Sequence, residues 1–365
     1  MRALQTRTTR WVGEFQSSPA FQPGLYLLLA ALASWLCVFL LFNALDTTLM
    51  RSDVLGYWRD AQKLGEDIDH FHLPGYPALI AVGHGLLPWL DVGLLMQLLG
   101  LVLWLISVVN VFLILRALRL SRAWQGALIY ALFPFVSLYH VVFPIADSLV
   151  FFLLTAGLLS YLKDRKVLLI LALAAVLLVH KASWPFVAMI ALVGLREKRL
   201  NILDVLLIGL PLVVYWLYGA QRFSDALWIV RANADKELAR THAPIFDGLY
   251  GTLVEGGLSN LFKFVLLTSC FALAVLLLVA RPAWQKAPVL LAVIIPVLAL
   301  AVILNEYEIW AMMRYSRLLV LPLWLYLHER DWQVRGIRLQ PLYVPFGILA
   351  FVSQLVFTYY AANLA

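Results

Sequence analysis

Long unbroken apolar runs constrain this chain more than any other feature. Leu25 to Leu45, Val92 to Leu115 and Pro341 to Ala362 each hold enough consecutive apolar side chains to cross a bilayer core as helix, which takes about 20. The composition agrees: 63% of the 365 residues are hydrophobic and 13% are charged. Soluble domains carry roughly a quarter charged residues. Too little polar surface remains to cover a water-soluble fold of this length, so the expected solvent is lipid. The runs are continuous rather than alternating, which points to an all-α bundle of transmembrane helices and away from a closed β-barrel.

The net charge of +7 does not point to nucleic acid. The basic residues fall in short clusters between apolar runs, as topology signals do. The tail carries Arg2, Arg7 and Arg10. Later clusters are Arg116, Arg119 and Arg122; Lys163, Arg165 and Lys166; Arg196, Lys198 and Arg199; Arg281 and Lys286; and Arg330, Arg335 and Arg338. Placing every cluster in the cytoplasm predicts about 11 spans. They run 24–46, 92–115, 124–140, 147–162, 167–181, 184–195, 201–219, 261–280, 287–304, 316–328 and 341–362. The pair flanking Lys181 is short and reads as a hairpin that stops partway. Residues 1–23 form a basic cytoplasmic tail, and 24–365 form one membrane domain. The first run lacks a small-residue cleavage site, so it is expected to be retained. Cys37 and Cys270 lie inside apolar runs and read as packing residues.

The stretch 76–90 is short and broken by Gly83, Gly85 and Pro88. Counting it as a crossing would put the Arg116 cluster outside. It is therefore expected to lie along the interface. Two long loops, 47–91 and 220–260, then face outward with most of the acidic residues. Chemistry is expected there. Cytoplasmic loops are too short for an ATPase or kinase domain. Walker, nucleophile-elbow, HExxH and dinucleotide-binding motifs do not occur in the sequence.

Three groups carry candidate chemistry. The first is Arg51 to Asp60. A helix over 53–64 capped by Ser52 would place Asp53 and Tyr57 on one face. Asp53 then reads either as a general base at the membrane surface or as an acidic residue favoured in a first helical turn. The second is Asp67 to Pro77. His70 and His72 beside Asp67 and Asp69 fit a metal, or a phosphate contact, or neither. The Pro74-Gly75-Tyr76-Pro77 run fixes a turn and starts the interfacial helix. The third comprises ionisable residues near outer span ends: His140, Asp147, His180, Lys181, Arg314 and Arg317. Such residues are costly at membrane depth and mark sites, although some only snorkel to the interface. Lys181 and Arg314 are placed to meet a lipid phosphate. Asn305 to Trp310 reads as a lid or as a solvated connection.

The order of these segments resembles the GT-C glycosyltransferases, multi-span enzymes that use polyprenyl-phosphate-linked sugars. Asp53 and Tyr57 open the first outer loop. His72-Leu73-Pro74-Gly75-Tyr76-Pro77 heads an interfacial helix. Leu132-Phe133-Pro134 with Asp147-Ser148-Leu149 is similar to a segment of the GPI-type mannosyltransferases. Arg314-Tyr315 with Pro322 is similar to the last outer loop of the family. His72 stands where the relatives that attach aminoarabinose to lipid A have a Lys. The resemblance spans about residues 24–328.

The resemblance implies a membrane glycosyltransferase with Asp53 as catalytic base in an inverting displacement. It implies donor-phosphate contacts from His72, Lys181, Arg314 and Arg317. Tyr57, Trp58 and Tyr76 would meet sugar rings, with His70, His140 and Asp147 as further substrate contacts. The sugar would be mannose, another hexose or a pentose. With cations supplied by Lys and Arg, no cofactor and no divalent metal is required. The acceptor would be a lipid or glycan end, since the large C-terminal soluble domain of oligosaccharyltransferases is missing from this sequence. Asp53-Val54 replaces the Asp-Glu of protein O-mannosyltransferases. A monomer with a cytoplasmic N-terminus is expected, in the inner membrane if the source is bacterial. A transporter or flippase of a lipid-linked sugar is the competing expectation. It predicts midplane charges and repeated halves, which the sequence lacks. A noncatalytic scaffold is a further one.

Overall fold

The computed structural model describes residues 21–44, 52–64, 72–120, 122–132, 139–228, 249, 251, 258–279, 287–303, 310–329, 333–334, 337–338, 352 and 355. These residues are helical apart from connections and one antiparallel pair of two-residue strands, Gln333–Val334 with Ile337–Arg338.

The first helix, α1, spans Phe21–Ala44. Two shorter ones follow, α2 at Ser52–Gln62 and α3 at Gly75–Leu86. Helix α2 begins at Ser52 itself, one residue earlier than expected, and ends two residues early. Pro77 falls in the first turn of α3, where its missing N–H removes no intrahelical bond. The stretch expected at 76–90 is thus helical only to Leu86, ahead of Pro88.

Helix α4, Val92–Ala117, is the central element. Asp91 caps it, accepting from Leu94 N at 3.0 Å. It packs most closely on α7, Asp147–Leu162. Both helices bury apolar side chains in the common core, Met96, Trp104 and Val108 from α4 and Phe151, Leu154 and Leu158 from α7. Two buried amide side chains of α4 find partners on neighbouring helices. Gln97 Nε2 donates to Val142 O at 3.0 Å, and Asn110 Nδ2 donates to Thr155 Oγ1 at 3.2 Å. In an apolar medium each such group costs free energy unless bonded.

Between α4 and α7 lie α5, Ala123–Ala131, and α6, Tyr139–Val142. The span expected at 124–140 is therefore helical only to Ala131 before residues 133–138, which lie outside the description. Helix α8, Lys166–Leu177, stops earlier than the expected 181. Its last carbonyls are taken up by side chains from beyond its end. Ser183 Oγ donates to Val176 O at 3.1 Å and Trp184 Nε1 to Leu177 O at 3.1 Å. A 3-10 turn, Lys181–Ser183, leads into α9, Trp184–Arg196. Helices α8 and α9 measure roughly 18–20 Å at 1.5 Å per residue, short of a ~30 Å bilayer core.

Helix α10, Ile202–Phe223, opens with a capping box. Asn201 accepts from Asp204 N, and Asp204 accepts from Asn201 N. Its apolar outer face is bare, with Ile202 74% and Leu206 63% exposed. The remaining described helices are α11, Leu258–Val279, α12, Leu291–Ile303, α13, Trp310–Tyr315, and α14, Val320–Glu329. The expected span 316–328 starts as a 3-10 turn, Ser316–Leu319. That at 341–362 lies outside the description except for Val352 and Leu355.

Among the described residues, three helices are long and apolar enough to cross a membrane: Pro23–Ala44, Val92–Ala117 and Ile202–Phe223. Exposed leucines along α1 and α10 fit lipid as their solvent. Both cysteines are free, and buried Cys270 accepts from Ser316 Oγ at 3.2 Å.

Candidate functional site

The polar centre of the molecule forms at the Asp147 end of α7. Asp147 opens that helix, where a carboxylate is favoured by the helix dipole. Arg314 reaches it from α13, with Nη1 2.8 Å from Asp147 Oδ2. Their side chains are 5% and 16% exposed. A charge pair this sheltered is only weakly screened by solvent.

Helices α2 and α3 bring Tyr57 and Tyr76 within electrostatic reach of Asp147. Tyr57 is buried one turn after Asp53. Its ring lies 4.1 Å from that of His72 and meets Tyr76 edge-on at 5.0 Å. Burial pushes the Tyr57 phenol well above the usual tyrosine range, and Asp53 and then Asp147 push it further. Tyr76 is shifted the same way, by burial first and Asp147 second. Both hydroxyls stay protonated at neutral pH. Asp53 itself is exposed, on the rim. Its charge is felt by Tyr57 and by Arg314.

The α8–α9 connection meets the start of α3. Gly75 N donates to Leu178 O at 2.7 Å. A Cβ on Gly75 would sit 2.7 Å from that same oxygen, so only glycine allows the approach. His180 follows, with Nδ1 accepting from Ala182 N at 3.2 Å. Burial lowers the His180 pKa to about 4, against the pull of Asp147, so the ring is neutral. Asp147, Arg314, His72 and Lys181 all act on it electrostatically, which places Lys181 and His72 in the same neighbourhood. Tyr315 stacks on Phe186 at 5.3 Å and lies 5.4 Å from Phe151. The buried hydroxyls of Tyr76 and Tyr315 find no hydrogen-bond partner among the described residues.

The structure thus brings together Tyr57, His72, Tyr76, Asp147, Lys181 and Arg314, with Asp53 at the edge. Two expected members are elsewhere. Trp58 faces away from Tyr57 and packs edge-on against His84 at 5.1 Å. Arg317 is 2% exposed, inside the bundle rather than at an interface. Its guanidinium lies 4.9 Å from the Tyr130 ring and 5.0 Å from the Phe151 ring. Helix α13 gives way to a 3-10 turn at Ser316, and Arg317 lies in that turn.

Asp67, Asp69 and His70 lie outside the described residues, as does the side chain of His140. Among the described residues no group of three or more metal-ligating side chains occurs. Sequence reasoning did not single out Tyr315 or Asp60 as site residues. The spacing 53, 57, 60 along α2 was the available signal for Asp60, since it marks one helix face.

Chemically, the cluster offers an ion pair, two further cationic or cation-capable groups and several buried hydroxyls. No protein-family model matches the sequence, and no curated protein matches it.

Proposed function

We propose that this chain is an integral membrane glycosyltransferase of the GT-C type. It would move a sugar from a polyprenyl-phosphate donor to a lipid or glycan acceptor at the non-cytoplasmic face. The observation that carries the reading is the convergence of four sequence-distant segments on one polar cluster. They are α2 with Asp53, the Pro74–Pro77 turn, the Asp147 helix start and Arg314-Tyr315. All belong to the set on which the family resemblance rests.

In this reading about 11 spans surround the cluster. The polyprenyl tail lies among the apolar helices. Its phosphate meets Arg314, Lys181 and His72, which stabilise the charge that grows on the leaving group. The accessible carboxylate of Asp53 takes the proton from the acceptor hydroxyl as that oxygen attacks the anomeric carbon. The bond to phosphate breaks on the opposite side, so configuration inverts. Asp147 is engaged by Arg314, so its role is to hold that guanidinium in place. Tyr57, Tyr76 and Tyr315 remain neutral and serve as hydroxyl and ring contacts for the sugar.

Asp53→Asn tests this. The variant should fold and bind undecaprenyl phosphate as wild type does, while transfer falls by about 10²–10⁴-fold. Wild-type transfer rates in the variant would remove Asp53 from the mechanism.

A further inference from the structure

Helix α2 carries a contact that the proposed reaction does not use. Asp60 Oδ2 lies 2.7 Å from His72 Nδ1. An ionised carboxylate only accepts, so Nδ1 carries the hydrogen and donates it. The two side chains are 19% and 10% exposed, so water competes weakly for this bond.

The same helix holds the ring in two further ways. Tyr57 covers it at 4.1 Å with a 35° tilt. Gly56 leaves room for it, because a Cβ there would come within 2.7 Å of His72 Cε1. Gly56 and Asp60 are one turn apart and share a face of α2. A bond at one edge, a ring against the face and a missing side chain together define one orientation of the imidazole.

Two chemical consequences follow. With Nδ1 committed to Asp60, contact between His72 and a substrate falls to Nε2. A carboxylate at hydrogen-bond distance also favours the imidazolium, whose Nε2 is a charged donor. The ionisable groups around it in the cluster are Tyr57 on α2 and His180 on the α8–α9 connection, both neutral, together with the charged Asp147, Arg314 and Lys181. We infer that Asp60 is a positioning residue: with Gly56 it fixes the tautomer and plane of His72, and through His72 it strengthens binding of the donor's phosphate. The phosphate half of this inference rests on the function proposed above; the tautomer half does not.

The experiment uses the full-length chain in lipid nanodiscs, with histidine labelled by nitrogen-15 and His72→Gln to assign the resonances. The expected wild-type spectrum shows His72 protonated and hydrogen-bonded at Nδ1, with both ring nitrogens moved by Asp60→Asn and by Gly56→Ala. Undecaprenyl phosphate binding should weaken about tenfold in Asp60→Asn, the scale of one charge-assisted hydrogen bond. Asp60→Glu should restore part of it. In a His72→Gln background Asp60→Asn should cost nothing further, because Asp60 acts through His72.

His72 resonances indifferent to Asp60→Asn overturn the positioning role. So does an equal binding loss in the His72→Gln background. A wild-type protein that does not bind undecaprenyl phosphate overturns the donor reading and the phosphate half together. Wild-type binding that Asp60→Asn leaves unchanged overturns this inference alone.

Discussion

The two ends of α7 treat charge in opposite ways. At the Arg199 end, polar groups meet near the surface and satisfy one another. Arg199 donates to Tyr161 O at 2.6 Å, pairs with Asp164 at 2.5 Å and stacks over the Tyr161 ring at 4.7 Å. Tyr161 donates to Glu197, and Lys166 pairs with Asp204 at 2.7 Å. At the Asp147 end a buried carboxylate is paired with a partly buried guanidinium, and the Tyr76 and Tyr315 hydroxyls lack protein partners among the described residues. The first arrangement ties α7, α8, α9 and α10 together. The second leaves hydrogen-bonding capacity unused in a sheltered place, which is costly for stability alone and useful for holding a polar ligand.

The sharpest test of the contrast is Arg314→Gln. It removes the cationic partner of a buried carboxylate and should cost about 3–5 kcal/mol, read as thermal unfolding in detergent. A loss under about 1 kcal/mol would mean that the pair is solvated like a surface one.

Acid should act on the same end. His180 has a folded-state pKa of about 4, below the ordinary value of 6.5. The unfolded chain therefore binds more protons between those values, and stability falls as pH drops from 6.5 towards 4. Full development of that shift is worth roughly 3 kcal/mol. Melting temperatures of wild type and His180→Asn should converge over that window as pH is lowered. Parallel curves would contradict a buried neutral ring.

Tyr76→Phe and Tyr315→Phe should separate ligand binding from stability. Each deletes a buried hydroxyl with no protein partner among the described residues, so unfolding should change by no more than about 1 kcal/mol. Binding of undecaprenyl phosphate or sugar transfer should drop about tenfold. The smallest effect is expected at the other end. Lys166 is 47% exposed and Asp204 keeps its bond from Asn201 N, so Lys166→Met should cost less than Arg314→Gln and leave transfer unchanged.

Sequence carried the parts of this architecture that are local. The long helices α1 and α4 follow from runs of apolar residues. The start of α4 follows from the apolar run that opens at Val92, and the early turn of α3 from the Pro74–Pro77 run. Contacts between distant segments were not legible. Asp147 and Arg314 are 167 residues apart, and nothing in either neighbourhood names the other. The end of α8 was also hidden, because apolar residues continue to Val179. What stops it is capture of its carbonyls by Ser183 and Trp184, a tertiary effect. Arg317 misled for a similar reason. An arginine near a span end reads as an interfacial cation, whereas the fold buries it against Tyr130 and Phe151.

The account stands or falls on whether sugar is transferred through Asp53. The direct measurement is a comparison of lipid-linked glycans and glycolipids extracted from cells that lack this chain, complemented with wild type or with Asp53→Asn. The account predicts that one glycosylated product disappears on deletion, returns with wild type and stays missing with Asp53→Asn, while its unmodified acceptor accumulates. An unchanged glycolipid and glycan profile on deletion, or full restoration by Asp53→Asn at equal protein level, would contradict it.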